Sequence, residues 1–279
     1  MRHAIRLLIP ILLFAVPARA QWTVDGVGVC TASGNQNQPK IASDGAGGWI
    51  MTWTDSRSGT QDIYAQRVDG TGTPLWTANG VVVCSAANTQ IEPRIVSDGN
   101  EGAIVTWQDG RTGTYDIYAQ LIDPGGAAVW AANGVPICTA PDTQQLPEIV
   151  ADAFGGAVIT WSDLRNGGFN PDIYAQRINV AGVAQWTANG VPICNDPGYQ
   201  DAPTLILAGY NSIIIAWGDQ RYGNTDVYAQ RMNLAGAPQW AANGVPVCTA
   251  LGFQDGIVMV GDFFGGAILA WRDTRSGPV

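Results

Sequence analysis

Short runs of alternating apolar and polar residues, punctuated by Gly, Asn, Asp and Pro, fill this chain from about residue 36 onward. The pattern is clearest in residues 36–84. Residues 39–43 predict a short strand and residues 44–48 a turn. Trp49–Asp55 predicts a second strand, in which Trp49, Met51 and Trp53 alternate with Ile50, Thr52 and Thr54. Beyond a Gly-containing turn at residues 58–60, Asp62–Val68 predicts a third. A longer connection holding Gly70, Gly72, Pro74 and Trp76 leads to the turn dipeptide Asn79-Gly80 and a fourth strand, Val81–Cys84. Enrichment in β-branched and aromatic residues between turn formers carries these assignments. Outside the first twenty residues no window shows a 3.6-residue period.

The unit then repeats. Trp53, Asp55 and Arg57, followed by Asp62-Ile63-Tyr64-Ala65-Gln66, return as Trp107, Asp109, Arg111 with residues 116–120. They return again as Trp161, Asp163, Arg165 with residues 172–176, and as Trp217, Asp219, Arg221 with residues 226–230. A fifth copy, Trp271, Asp273 and Arg275, stops before its D-I-Y-A-Q. The Trp-to-Trp spacings are 54, 54, 56 and 54 residues. Four short strands in a unit of this length, repeated, predict an all-β propeller of four-stranded blades. Solenoid coils are usually much shorter, and a sandwich does not need near-identical units. The expected architecture is four complete blades and an incomplete fifth, with residues 254–273 giving its first two strands and residues 22–31 a lone fourth strand. The chain stops where a fifth D-I-Y-A-Q would begin, so the expectation is a natural chain that continues and can carry further domains. A loose junction is expected between residues 22–31 and 254–279.

The first twenty residues stand apart. Arg2, His3 and Arg6 precede an apolar run at residues 7–16 and the small-x-small site Ala18-Arg19-Ala20. This predicts a signal peptide cleaved after Ala20, a secreted or cell-surface location, and a mature domain over residues 21–279; the run is too short to span a bilayer, so no membrane insertion is expected. Cleavage removes the only histidine, His3, and takes Arg2, Arg6 and Arg19 from the 14 basic residues, leaving 11 against 23 acidic ones, a net charge of −12. That balance argues against nucleic acid as a partner. Without histidine, a Ser-His-Asp triad, a Cys-His pair and a His-ligated metal are excluded. No cofactor and no metal site is expected.

Cys30, Cys84, Cys138, Cys194 and Cys248 each lie 23 residues before their repeat's Trp. Equivalent positions of packed sheets are roughly 10 Å apart, whereas a disulfide needs Cα atoms within about 7 Å. Free, buried thiols are predicted.

A polar set recurs at one end of every unit. It comprises Gln36, Gln90, Gln144, Gln200 and Gln254; Asp55, Asp109, Asp163, Asp219 and Asp273; Arg57, Arg111, Arg165, Arg221 and Arg275; and Asp62, Asp116, Asp172 and Asp226. Residues present in every copy do what every copy needs, so this set is read as a structural clasp satisfying turn backbone and tying blade to blade. The turn at residues 43–48 recurs loosely and is rich in oxygen, but it lacks the spacing of a calcium loop. Function is sought where the copies differ. Tyr115, Phe169 and Tyr222 in second-to-third-strand turns, and Tyr199 and Phe253 in the connections between units, form a possible ligand rim suited to stacking on sugars or docking a protein loop. The unrepeated acids are Glu92, Glu101, Glu148, Asp142, Asp196, Asp201 and Asp255, and their spacing singles out no acid–nucleophile pair.

The W-x-D-x-R…D-I-Y-A-Q units resemble those of secreted bacterial β-propeller repeat proteins. The resemblance covers nearly all of the mature chain. It implies an exported propeller and brings no catalytic residues with it. The G-H…W-D signature of WD-repeat propellers is absent. The S-D-G-x-G-G turn is similar to the Asp-box of sialidases, but the order S-x-D-x-G-x-T-W is missing. The expected function is a non-catalytic binding or scaffold module for a protein or glycan ligand; the alternative is a glycan-active enzyme on a five-bladed propeller, whose chemistry would need a carboxylate pair.

Overall fold

The computed structural model describes residues 25–275 and residue 277, and the expected signal peptide lies outside them. The described residues form 18 strands and no helix. The first sheet is β1 (Gln36–Ser43), β2 (Trp49–Asp55), β3 (Asp62–Val68) and β4 (Val81–Cys84). The second is β5 (Gln90–Ser97), β6 (Ala103–Asp109), β7 (Asp116–Ile122) and β8 (Val135–Cys138). The third is β9 (Gln144–Ala151), β10 (Ala157–Asp163), β11 (Asp172–Ile178) and β12 (Val191–Cys194), and the fourth β13 (Gln200–Leu207), β14 (Ser212–Asp219), β15 (Asp226–Asn233) and β16 (Val245–Cys248). β17 (Gln254–Gly261) and β18 (Ala267–Asp273) pair as a two-stranded sheet. Every sheet is an antiparallel meander in sequence order.

The sheets stack as propeller blades. The first strand of each packs on the first and second strands of the one before, β5 on β1 and β2, β9 on β5 and β6, β13 on β9 and β10, β17 on β13 and β14. The core lies in these seams. Ile50, Ile63 and Trp76 of the first sheet meet Ile95, Val105 and Trp107 of the second, and equivalent clusters fill the next two seams. Trp76, Trp130 and Trp186 each reach into the following sheet, donating Nε1–H to the carbonyls of Pro124, Val180 and Leu234 at 2.9–3.0 Å. Gly126, Gly182 and Gly236 sit over those rings at positive φ, where a Cβ would approach ring carbons to about 3 Å.

The expected lone strand at residues 27–30 does not form. A fourth strand needs a third as its ladder partner, and β17–β18 supply none. The segment is instead fastened to the first sheet, Thr31 N donating to Asn79 Oδ1 at 2.8 Å and Arg57 Nη2 to Cys30 Sγ at 3.1 Å. Cys84, Cys138 and Cys194 are buried and free, as predicted; Cys30, outside any strand, and Cys248, facing the two-stranded sheet, are free but only half-buried.

Candidate functional site

The Asp and Arg of the W-x-D-x-R repeat are consumed by the blades themselves. Asp109 Oδ2 accepts from Trp107 Nε1 at 2.7 Å and from Arg111 Nη2 at 2.6 Å, and Oδ1 accepts from the Arg111 backbone and Nε. The guanidinium then donates to the Asn133 carbonyl, touches Cys84 of the preceding sheet, and lies 3.9 Å over the Tyr118 ring. The same net recurs around Asp55, Asp163 and Asp219. In the outlying fifth copy, Arg275 pairs with Asp273 and donates to Cys248 Sγ at 3.2 Å. Burial pushes the Asp219 carboxyl up, but the Arg221 and Trp217 hydrogen bonds overcome it and hold it below the ordinary value.

The other repeated acids behave oppositely. Burial raises the carboxyls of Asp62, Asp116, Asp172 and Asp226 above their ordinary value. Ser58, Thr112 and Asn166 each donate to the first three at 2.5–2.7 Å. Tyr222 occupies the corresponding place in the fourth sheet, and Asp226 Oδ1 has no partner. Gln36, Gln90 and Gln144 donate to carbonyls of the connections before them, whereas both amide atoms of Gln200 and Gln254 are unpartnered. In the turn at residues 43–48, Asp44 Oδ1 accepts from the Ala46 and Gly48 amides and Oδ2 from Arg67.

A different set of residues lines the axis. Two positions after each Gln, the first strand of the sheet carries a β-bulge, and the bulged residue has positive φ: Gln38 and Glu92 at 54°, Leu146 and Ala202 at 52°, Gly256 at 62°. Pro39, Pro93, Pro147 and Pro203 follow, and a proline cannot donate to the ladder, so the pairing must break there. A bulge re-aims side chains. These bring variable residues of neighbouring sheets into contact across the seams beside the axis. Gln38 Nε2 donates to Glu92 Oε1. Arg94 joins two sheets, with Nε 2.7 Å from Glu148 Oε1 and Nη1 3.2 Å from Glu92 Oε2. Asp201 accepts from the Tyr199 hydroxyl at 2.8 Å and from Ser162 Oγ at 2.5 Å. Asp255 is gripped at both oxygens by Arg272, at 2.7 and 2.6 Å.

Arg94, Glu148, Tyr199, Asp201 and Asp255 share one cleft of about 610 Å³, walled also by Leu146, Val258 and Met259. The Arg272 hydrogen bonds hold the Asp255 carboxyl below its ordinary value. Burial, reinforced by the Asp201 carboxylate, pushes the Tyr199 hydroxyl up to about 12, so it stays a donor. Of the seven unrepeated acids, the structure thus gathers Glu148, Asp201 and Asp255 in the cleft with Glu92 behind Arg94. Glu101 instead pairs with Arg67, and Asp196 with Arg221, while Asp142 takes no part in the cleft. The signal that could have found them is the proline three residues after four of the five glutamines, with Gly256 at the bulge of the fifth.

The expected ligand rim divides. Tyr199 is a wall of the cleft. Tyr222 is exposed at the tip of the turn whose bases, Gln220 and Thr225, line it. Phe169 and Phe253 are exposed, and Tyr115 sits half-buried in a separate shallow groove beside Asn88.

No family model and no curated protein matches this sequence. Solved structures do. The fold is similar to a Hadza microbial sialidase (TM-score 0.52, 12% identity, 86% of this chain and 53% of that one) and to an α-L-arabinofuranosidase from Fusarium graminearum (0.52, 10%, 86% and 77%). It is also similar to an α-L-arabinanase from Penicillium chrysogenum solved with arabinobiose (0.50, 11%, 88% and 83%). At these identities the likeness establishes the propeller fold. It also corrects the expectation of a non-catalytic binding or scaffold module: the proteins that share this architecture are named as glycan-active enzymes, and the alternative reading is the one carried forward.

Proposed function

We propose that this chain is a secreted glycan-active enzyme whose chemistry resides in the axial cleft. The observation that carries the reading is the convergence there of Glu148, Asp201 and Asp255, three acids that the repeat does not require, from three successive first strands. Glycoside hydrolysis needs one carboxyl that gives a proton to the leaving oxygen and one that acts as an anion. Asp255, fixed by Arg272, is suited to the anionic role. Asp201, held by two hydroxyls and no guanidinium, is suited to proton exchange. Glu148, tied to Arg94, fixes the wall of the cleft on the β9 side. Tyr222, exposed at the tip of the turn whose bases line the cleft, offers a ring on which a sugar stacks. The test is hydrolysis of a panel of chromogenic arabinofuranosides, sialosides and other glycosides. Asp201→Asn and Asp255→Asn should each cut kcat by about a thousandfold, in keeping with the loss of an acid–base group. Absence of hydrolysis across the panel, or full activity in both variants, overturns the proposal.

A further inference from the structure

The turn joining the first and second strands of each sheet lies at the end of the first strand away from the cleft. From Asp201 in the cleft to Ala208 at such a turn, the strand rises roughly 20 Å. The third residue of the turn is Ala46, Asn100, Phe154, Tyr210 or Phe264 in successive sheets. The last three are aromatic and stand 56 and 54 residues apart, at one structural place. Their exposures are 61%, 84% and 95%. Phe154 has a complete four-stranded sheet on each side, so its exposure belongs to the turn tip itself. Ala46 and Asn100 serve the same turn in the first two sheets, so the frame does not require a ring there. Each ring is also held in place. Asp152 Oδ1 accepts from the Phe154 amide and Asp262 Oδ1 from the Phe264 amide, at 2.8 and 2.7 Å. Ala208 replaces the Asp in the fourth sheet, and there Arg231 ties the turn through Ser212 Oγ and the Ala208 carbonyl.

We infer that this rim binds a neutral glycan chain at a second site, distinct from the cleft, with Phe154, Tyr210 and Phe264 as its stacking platforms. Packed sheets lie roughly 10 Å apart, so one ring per sheet meets separate sugars along a chain. Aromatic faces take the apolar faces of sugars, and nearby polar groups take the hydroxyls. Phe154 walls two grooves of about 570 Å³ each, one shared with Asp98 and Asn100 and the other with Gln185 and Asn211. Asn100, Gln185 and Asn211 are exposed and carry amides. The rings are set apart by such polar residues and by glycines, so they do not form the contiguous apolar patch that a protein partner or a lipid surface uses. Charge selects a neutral polymer. Arg67 is engaged by Asp44 and Glu101, Arg177 by Asp152 and the Leu234 carbonyl, and Arg231 by the turn at residues 208–212, so these guanidiniums are already taken.

Electrophoresis through gels containing linear arabinan, arabinoxylan, galactomannan or mixed-linkage β-glucan tests this. All proteins carry Asp255→Asn, so the polymer stays intact. At least one polymer should retard the parent, and Tyr210→Ala with Phe264→Ala should raise the apparent Kd about tenfold, since each ring contributes a several-fold factor. The melting temperature should not change, and Tyr210→Phe with Phe264→Tyr should keep the binding. In the wild-type background the double alanine variant should cleave short chromogenic glycosides as the parent does, because these do not reach the far rim. If the chain hydrolyses nothing, retardation that depends on the rings still supports the rim site. The inference is overturned by absence of retardation in all four polymers, by retardation indifferent to the double alanine variant, or by ring-dependent binding to phosphatidylcholine vesicles in place of polysaccharide.

Discussion

Truncating Trp107 to Ala removes one of the two tryptophans of the first seam. The ring is fully buried, stacks on Tyr118 at a centroid distance of 6.5 Å, and donates Nε1–H to Asp109 Oδ2 at 2.7 Å. Its far edge abuts Gly134, at φ 85°, where an added Cβ would come within 2.5 Å of the ring, so little slack surrounds it. Large aromatic truncation in a core costs about 3–5 kcal/mol. Loss of a hydrogen bond to a charged acceptor adds about 1.5 kcal/mol. Asp109 keeps its Arg111 partners, so the sum is not fully additive, and about 5 kcal/mol is expected. Trp107→Phe keeps the packing and loses mainly the N–H, so about 1–2 kcal/mol is expected. Trp271 is the informative control. It sits at the same repeat position but is only half-buried, and its Nε1 lies 3.2 Å from Asp273. Trp271→Ala should cost no more than about 2 kcal/mol, and Tyr222→Ala, at an exposed tip, less than about 0.5 kcal/mol. Denaturant unfolding followed by tryptophan fluorescence and circular dichroism measures all four. If Trp271→Ala costs as much as Trp107→Ala, burial does not set the cost and the reasoning fails.

Within the fourth sheet, Asp219→Asn and Asp226→Asn should move stability in opposite directions. Asp219, held low by Arg221, contributes stability that is present above the unfolded carboxyl value and lost as pH falls through the folded one, so its replacement should cost about 3–5 kcal/mol at pH 7, as when a buried pair is broken. Asp226, raised by burial and left with an unpartnered oxygen, penalises folding when ionised and relieves it as pH falls through the raised folded value, so Asp226→Asn should be neutral or stabilising at pH 7 and flatten that part of the pH–stability curve. Thiol titration of the native protein should show Cys30 and Cys248 reacting first, with Cys84, Cys138 and Cys194, pushed up to about 12 by burial, reacting only on denaturation to a total of five; fewer than five in non-reducing denaturant would mean a disulfide. Intact mass of the exported protein should place its N-terminus at Gln21, and a species retaining residues 1–20 would refute the secretion reading.

What the sequence made legible was whatever the repeat states five times. The period placed Trp49–Asp55 and Asp62–Val68 to the residue, because β-branched and aromatic runs bounded by turn formers leave one register. The first strand was placed late, at residue 39 in place of Gln36, because its pairing continues across the bulge. Repetition also identified the Asp55–Arg57 type of clasp as part of the fold. The cleft was not legible for the converse reason. Asp201 and Asp255 follow their glutamines directly while Glu148 is the fourth residue after its own, so no single spacing connects all three. They converge only because each bulge redirects its strand and because the sheets stack around an axis. The missing strand at residues 27–30 has a comparable cause: the segment has a strand's composition, but its pairing depends on a neighbour elsewhere in the chain.

The same asymmetry between repeated and single residues explains why chemistry belongs on the first strands. A residue deep in a seam is fixed by two sheets at once, so changing Trp107 or Ile104 disturbs both. A residue just beyond the bulge faces the axis, touches few neighbours and can vary from sheet to sheet at little cost to stability. Position four after the glutamine shows it: Lys40, Arg94, Glu148, Thr204 and Val258 stand at one structural place with five different chemistries. From there, Arg94 and Glu148 pair across a seam while Val258 leaves Asp255 open to the cleft. The propeller thus holds a ring of interchangeable axial positions on a frame that the repeat keeps constant, and the acids of the cleft are variations the frame tolerates without altering itself.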